Sequence, residues 1–290
     1  IAAGTFWYLG GERANEASPS QLDTSASNQP DAVSLALLPT QDSDDWLSGG
    51  GLQYLAERLG QDASIQTFLV QPDVGLSGDS TRQAIEITTW EQVEYAATFS
   101  FHETPQGYRV EALLRNDSEQ IGQADFEGTS LASVFADIDR WLRHEIALHS
   151  ELADIADDFL EPVDAFALQS YLQGIYELQG RDDKPTAMQY FQAAVNKDPD
   201  FLDAWTKLAD TLMETGELQR AISMSEVLLE RADVQSRPIL AMELFRVIGV
   251  SHSRLQNDQE ATEYLQRALS ILPEGLDAQA RLTVLGTLEL

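Results

Sequence analysis

One spacing of small and large residues occurs twice in the C-terminal third of this chain and limits what that third can fold into. Alanine, a large apolar residue, alanine and proline follow one another at intervals of four, three and five residues, first over Ala187–Pro199 and again over Ala261–Pro273. Intervals of three and four place side chains on one face of a helix, and proline ends a helix. The spacing therefore predicts pairs of helices that pack closely through their small residues.

A period of about 34 residues connects these segments. Ala221 lies 34 residues after Ala187, and Ala261 lies 40 residues after Ala221, which predicts an expanded loop over 233–237. Helix–turn–helix units of this length are typical of tetratricopeptide repeats, which stack into a solenoid. The structural positions of three such repeats are Gly174, Ala187, Phe191, Ala194, Pro199, Trp205, Leu208, Ala221, Gly249, Ala261, Leu265, Ala268 and Pro273. The expected helices are 163–179, 185–196, 201–215, 218–231, 239–255 and 258–272, with a covering helix over 275–290.

The charge balance restricts the classes of partner. The chain has 290 residues and a formal net charge of −30, from 48 acidic and 18 basic residues. Such a surface repels phosphate backbones, so we expect no nucleic-acid binding by this part of the protein. The chain has no cysteine, which excludes disulfides and thiolate metal sites and fits an oxidising compartment without proving one. We expect neither a cofactor nor a metal site.

The first 30 residues have a composition of their own. Residues 1–9 begin with small and apolar residues, followed by three adjacent aromatic residues at 6–8, which predicts the end of a transmembrane helix at the headgroup level. The alternative is a hydrophobic first strand or helix of a folded core. Residues 10–30 are polar and carry little to bury, which predicts a linker.

Residues 31–150 predict an α/β domain with the element order βαβαβββα. The strands are expected at 32–38, 65–70, 95–101, 108–114 and 120–126, and the helices at 46–59, 80–87 and 131–148. The first two strands, joined through a helix, should be parallel, and the last three should form an antiparallel meander. A connector over 151–165 leads to the helical domain, 166–290. The fold class is therefore α/β plus all-α.

Catalytic patterns are weak throughout the chain. Glu145 and His149 lie four residues apart and could share a metal ion, but a surface pair on a helix is the favoured interpretation. Gly49–Gly51 lack the lysine of a phosphate-binding loop, so a flexible helix start is favoured. Nothing assembles a nucleophile, a base and an orienting group, and we predict no catalytic residues and no enzyme activity.

The first helices of the repeats offer the best place for a ligand or partner. By repeat position, the residues expected to face the groove of the solenoid are Asp203, Thr206, Asp210, Met213, Glu243, Arg246, Val250 and Arg254. The Lys/Asn set that binds a peptide carboxylate is absent from these positions. An ordinary polar groove without a dedicated ligand is the alternative, and the junction of the two domains is a second candidate site.

The order of these segments resembles a known arrangement. A strand with the sequence SLALLP at 34–39 is followed by Trp46 with a glycine-rich helix, a three-strand meander, YLQGIYELQGR at 171–181, and the alanine–proline spacing. Over about residues 31–290 this is similar to the extracytoplasmic half of ToxR/CadC-type membrane-anchored winged-helix transcriptional regulators. The resemblance implies a cytoplasmic DNA-binding domain, one helix across the inner membrane, and this region in the periplasm.

The expected function follows from the repeats and the resemblance together. It is a non-catalytic sensor and protein-interaction module that binds a protein or peptide partner, with a small ligand and a homodimer left open. The alternatives are a free-standing repeat scaffold or the sensor half of a membrane-bound kinase or cyclase.

Overall fold

The protein consists of two compact units, residues 2–165 and residues 166–290. The computed structural model describes residues 7–9, 33–40, 45–60, 64–70, 93–150, 164–235 and 237–271. The first unit combines a mixed sheet with helices and the second is helical, so the predicted fold class is confirmed. The predicted linker, the helix over 80–87, residues 151–163 of the connector, Pro273 and the helix over 275–290 lie outside the described residues.

The sheet of the first unit has six strands in the order β1-β3-β2-β4-β5-β6. Strands β1 and β2 run parallel to β3, and β2 is also parallel to β4. Strands β4, β5 and β6 are antiparallel neighbours, which confirms the predicted meander. The strands are β1 (Trp7–Leu9), β2 (Val33–Pro39), β3 (Ile65–Val70), β4 (Tyr95–Thr104), β5 (Gly107–Arg115) and β6 (Gln120–Gly128).

Two helices, α1 (Asp45–Leu59) and α2 (Leu131–His149), pack on the sheet. Their shared core is aromatic, with the Phe135 ring 5.5 Å from Tyr54 and 6.0 Å from Phe101. A Cβ at Gly51 would lie only 2.8 Å from Phe135. Gly49–Gly51 thus lie inside α1 rather than forming a flexible start, and Gly51 is needed because the Phe135 ring passes so close to the helix.

The second face of the sheet has a core of its own. Ala36, Leu38, Val70, Val93 and Ala96 form one buried cluster, against which the partly buried Phe68 packs. The central strands β2 and β4 are therefore buried on both faces, as the continuous apolar run of β2 predicts for a strand with two parallel neighbours.

The described residues of the second unit form three helical hairpins. Their helices are α3 (Ala165–Gly180) with α4 (Lys184–Lys197), α5 (Leu202–Glu214) with α6 (Leu218–Leu229), and α8 (Pro238–Arg254) with α9 (Asp258–Ile271). The prediction of an expanded loop over 233–237 is wrong in part, because a short helix, α7 (Ala232–Gln235), forms there. Val234 is fully buried, and this apolar anchor explains why the extra residues are ordered into a helical turn.

The structure gives a different conformation to the apolar N-terminal segment. Trp7–Leu9 form β1, which corresponds to the alternative of a first strand, while residues 1–6 lie outside the described residues. Within the described ranges, no helix is long and apolar enough to cross a membrane. The membrane anchor stays a prediction.

Candidate partner-binding groove of the helical repeats

The three hairpins share one turn geometry, which defines the repeat independently of the alanine spacing. In each turn one residue has a positive φ: 52° at Asp182, 86° at Gly216 and 63° at Gln256. The residue that follows accepts the first backbone hydrogen bond of the second helix, donated over 2.9, 3.1 and 3.0 Å by the amides of Ala187, Ala221 and Ala261. The same turn conformation thus connects the two helices of each of these hairpins.

The predicted small residues allow the helices of a hairpin to approach closely. A Cβ at Gly174 would lie 2.5 Å from the Phe191 ring, and a Cβ at Gly249 would lie 2.7 Å from Cγ of Leu265. Phe191 is fully buried. In the first and third hairpins, therefore, a large side chain from the second helix occupies the space that glycine leaves on the first helix.

The middle hairpin uses the reverse combination. It has Leu208, fully buried, on its first helix, and Ser225, also fully buried, at the repeat position of Phe191 and Leu265. The hydroxyl of Ser225 is buried and has no hydrogen-bond partner among the residues that the structure describes. Trp205, the other predicted large residue, is half-buried and its indole Nε1 donates to the carbonyl of Pro199 over 2.9 Å. The large side chain of each pair thus comes from the second helix in the first and third hairpins and from the first helix in the middle hairpin.

The first helices of the second and third repeats, α5 and α8, lie side by side. Three arginines, from the residue before α8 to its last residue, form hydrogen bonds with α5, and we call this set the arginine ladder. Arg237 Nη2 lies 3.1 Å from Asp203 Oδ1, Arg246 Nη2 pairs with Asp210 Oδ1, and Arg254 Nη1 donates to the carbonyl of Met213 over 2.7 Å.

Two of the three arginines of the ladder are largely shielded from water, while Arg254 is exposed. The side chains of Arg237 and Arg246 are 21% and 14% exposed, and that of Asp203 is 15% exposed. Arg246 also contacts Glu243 of its own helix, with Nε 3.2 Å from Oε2. Burial alone would lower the pKa of Arg246, but the charges of Glu243 and Asp210 outweigh burial and raise it. The guanidinium of Arg246 therefore stays protonated.

The eight residues predicted to face the groove fall into two groups. Thr206, Met213 and Val250 are buried, and the Thr206 hydroxyl donates to the carbonyl of Leu202. These three pack inside the helical unit. The charged members lie in or beside the ladder and retain some exposure: Asp203, Asp210, Glu243, Arg246 and Arg254. Whether any of the eight binds a partner stays a prediction.

Sequence reasoning missed Arg237, although a signal for it exists. Arg237 follows Asp203 by 34 residues and Arg246 follows Asp210 by 36, whereas equivalent positions of the second and third repeats lie 40 residues apart. An acid on one first helix and a base on or just before the next, spaced by nearly one repeat, can face each other because those helices are neighbours in the stack.

The histidines and the candidate metal pair make local contacts. His149 Nδ1 lies 2.9 Å from the backbone carbonyl of Glu145, so the ring approaches the main chain and not the carboxylate. His252 stacks on Tyr264, with ring centroids 5.9 Å apart. His102 Nε2 lies 2.7 Å from the Ser100 hydroxyl. In the part of the chain that the structure describes, no group of three or more acidic, histidine or cysteine side chains could hold a metal ion.

Comparison with known proteins agrees with the helical geometry. A tetratricopeptide repeat family matches residues 183–239, which span α4 to α7 and the first residues of α8. No curated protein matches the chain. The equivalent turns of the first and third hairpins extend the pattern on both sides of the matched residues. Tetratricopeptide repeats generally mediate protein–protein interactions. The match over residues 183–239 therefore supports a chain that contains tetratricopeptide repeats, and it suggests that these repeats form a protein-interaction module.

Proposed function

We propose that the helical unit binds a protein partner across the face formed by α5 and α8, and that the chain acts as the non-catalytic periplasmic sensor of a membrane-anchored transcriptional regulator. The observation that carries the first part is the arginine ladder. It fixes two neighbouring first helices together and leaves charged side chains partly exposed along their shared face. A rigid face of this kind can bind a partner without a large entropic cost of ordering.

The charge of this face differs from that of the rest of the protein. The ladder and Glu243 bring together three carboxylates and three guanidinium groups, so the face is close to neutral in a chain with a net charge of −30. A partner would therefore be selected by shape and by hydrogen bonds to Glu243 and Arg254 rather than by opposite net charge. The neutral face also allows an acidic partner to approach a protein that repels it elsewhere.

The regulatory part of the proposal is supported by the order of the two units. An α/β unit followed by tetratricopeptide repeats matches the arrangement that resembles the ToxR/CadC-type sensors. The strongly acidic charge also suits a region that does not itself contact DNA. Binding at the repeats would favour one arrangement of the protein over another, and the anchor would transmit that shift.

Site-specific photo-crosslinking in the native cell tests the partner face. A photoreactive amino acid replaces Glu243, which is 35% exposed beside the ladder, and in a matched control it replaces Glu260, an exposed residue of α9. We expect one discrete protein to crosslink at position 243 and not at position 260. Equal crosslinking at both positions, or crosslinking at 260 alone, would exclude this face as the binding site.

A reporter fusion separates the regulator from its alternatives. Alkaline phosphatase fused after Leu290 in the chromosomal gene is active only outside the cytoplasm, and membrane fractionation shows whether the product is anchored. We expect an active fusion in the inner-membrane fraction, together with altered transcription when the fusion gene is deleted. An active but soluble product would favour a free-standing scaffold. An anchored product with a kinase or cyclase domain upstream would favour the sensor of a membrane-bound enzyme over a transcriptional regulator.

A further inference from the structure

The last strand of the meander, β6, is an edge of the sheet. It spans nine residues, Gln120–Gly128, and no strand among the described residues pairs with its outer side. Exposure alternates along it, with Gln123, Asp125 and Glu127 exposed and the residues between them half-buried. The backbone N–H and C=O groups on the outer side of such a strand can pair with another chain.

The inner face of β6 is held rigidly. The Phe126 ring packs edge-on against Trp141 of α2, with centroids 5.8 Å apart. A Cβ at Gly122 would lie 3.0 Å from the same indole. Because α2 supports the strand from behind and β5 pairs along its length, β6 is ordered before anything binds to its outer side.

The exposed face beside this edge carries an excess of negative charge. Arg109 of β5 lies among three carboxylates, with its nitrogens 2.9 Å from Glu111, 3.5 Å from Asp125 and 3.8 Å from Glu127. Those carboxylates remain 54%, 61% and 72% exposed. One guanidinium and three carboxylates leave a net charge of −2, on a face whose outer row, Asp125 and Glu127, borders the open edge.

The sequence of β6 indicates which kinds of strand can pair with its outer side. Natural edge strands avoid pairing by being short, by containing proline or lysine, or by pointing a charge inward. Strand β6 is long, has no proline or lysine, and carries its charges, both negative, on the exposed face. Like charge thus disfavours a second copy of this chain, which has a net charge of −30, but does not disfavour a basic strand.

We propose that β6 accepts an extended segment of a partner protein as an additional strand, with lysine or arginine at alternate positions facing Asp125 and Glu127. Alternate residues of a strand are about 6.7 Å apart on one face, and Asp125 and Glu127 have the same spacing, so two basic side chains can face two carboxylates. Main-chain hydrogen bonds supply the affinity and the charges supply the specificity. This surface is separate from the groove of the helical repeats.

The probe is a blocked nine-residue peptide in which lysine alternates with threonine, titrated into the full chain and followed by amide hydrogen exchange. We expect exchange to slow in β6 and not in α2. N-methylation of every peptide residue after the first should weaken binding at least tenfold, because it removes the backbone donors and keeps the charge. Only alternate residues of an added strand donate their N–H groups to β6, and which set donates depends on whether the peptide runs parallel or antiparallel. Comparing N-methylation of the lysines alone with N-methylation of the threonines alone therefore reports the strand direction.

Charge variants of the protein supply the second measurement. Asp125→Asn/Glu127→Gln should weaken the peptide at least tenfold and reduce the salt dependence of binding. Asp137→Asn/Glu260→Gln removes the same number of charges from exposed positions elsewhere and should change binding less than twofold.

Four results would overturn the proposal. They are equal binding of the fully methylated peptide, no binding of any peptide, slow exchange along the outer side of β6 in the free chain, and a self-association of the chain that the Asp125→Asn/Glu127→Gln variant strengthens. The first would leave only non-specific charge attraction, and the last would identify a second copy as the occupant.

Discussion

Gly174→Ala is the sharpest test of how the repeats are built. The added Cβ would lie 2.5, 2.7 and 3.0 Å from three atoms of the Phe191 ring, where ordinary contacts begin at 3.4 Å. The ring must therefore move by nearly 1 Å. It is fully buried and packs against Tyr171, with ring centroids 5.9 Å apart, so this movement disturbs further core contacts.

Two opposing effects set the size of the change. Overpacking a core by one methyl group costs about 1–3 kcal/mol, and a clash this close belongs at the upper end. Replacing glycine by alanine inside a helix returns about 1 kcal/mol of helix propensity. We expect the free energy of unfolding to fall by about 2 kcal/mol, measured by urea denaturation followed by far-ultraviolet circular dichroism.

The double variant Gly174→Ala/Phe191→Leu separates the clash from other causes. Leucine lacks two of the three ring atoms near the added Cβ. The two substitutions should therefore compensate each other by at least about 1 kcal/mol in a double-mutant cycle. An unchanged or higher stability of Gly174→Ala, or strict additivity of the two changes, would refute the close approach of α3 and α4.

Further predictions concern the turns, the ladder and two polar side chains. Gln256→Gly should raise the free energy of unfolding by about 0.5–1 kcal/mol, because glycine adopts a φ of 63° without strain, whereas Gln259→Gly inside α9 should lower it by about 1 kcal/mol in the same urea titration. Arg246→Leu should lower it by about 2 kcal/mol, since two partly shielded carboxylates lose their cation, and high salt should reduce the loss. Ser225→Ala should raise it by about 1 kcal/mol by removing a buried hydroxyl without a partner; a loss in thermal denaturation would show that the hydroxyl is bonded. The hydrogen bond from Arg231 lowers the pKa of Asp233, so this carboxylate stabilises the fold at pH values above its unfolded pKa of about 3.9. Asp233→Asn should therefore lower the free energy of unfolding at pH 7, and in urea titrations the difference from the parent protein should disappear as pH falls through the pKa of Asp233 in the folded protein.

The helices could be predicted from sequence because each is marked by local chemistry. Two alanines with a large residue between them, at intervals of four and three, define the packed faces of α4 and α9, and Pro199 follows the end of α4 between two hairpins. Of the three turn residues with positive φ, only Gly216 is a glycine. Asp182 and Gln256 adopt the same conformation because the packing of their hairpins imposes it, and local sequence carries no sign of that constraint.

Repeat position predicted which residues face a groove, but it did not predict which of them are buried. Thr206, Met213 and Val250 look like lining residues on a helical wheel, yet they are buried, since α5 and α8 contact each other directly. The spacing within one helix gives the direction of a side chain, whereas its exposure depends on the neighbouring helix. The pairing of acids on α5 with bases on and before α8 follows only when two periods are compared.

Binding at the two proposed surfaces should respond differently to ionic strength, so one salt titration can distinguish them. The ladder face has three carboxylates and three guanidinium groups, so a partner bound there gains little from long-range attraction. The face beside β6 has a net charge of −2 and exposed carboxylates, so a basic strand bound there should weaken steeply as salt is raised. A partner that crosslinks at position 243 should stay bound at 0.5 M salt, while the lysine–threonine peptide should dissociate. Because the salt response follows from local charge, loss of a partner of the repeats at high salt would indicate that this partner also contacts charged residues outside the ladder face.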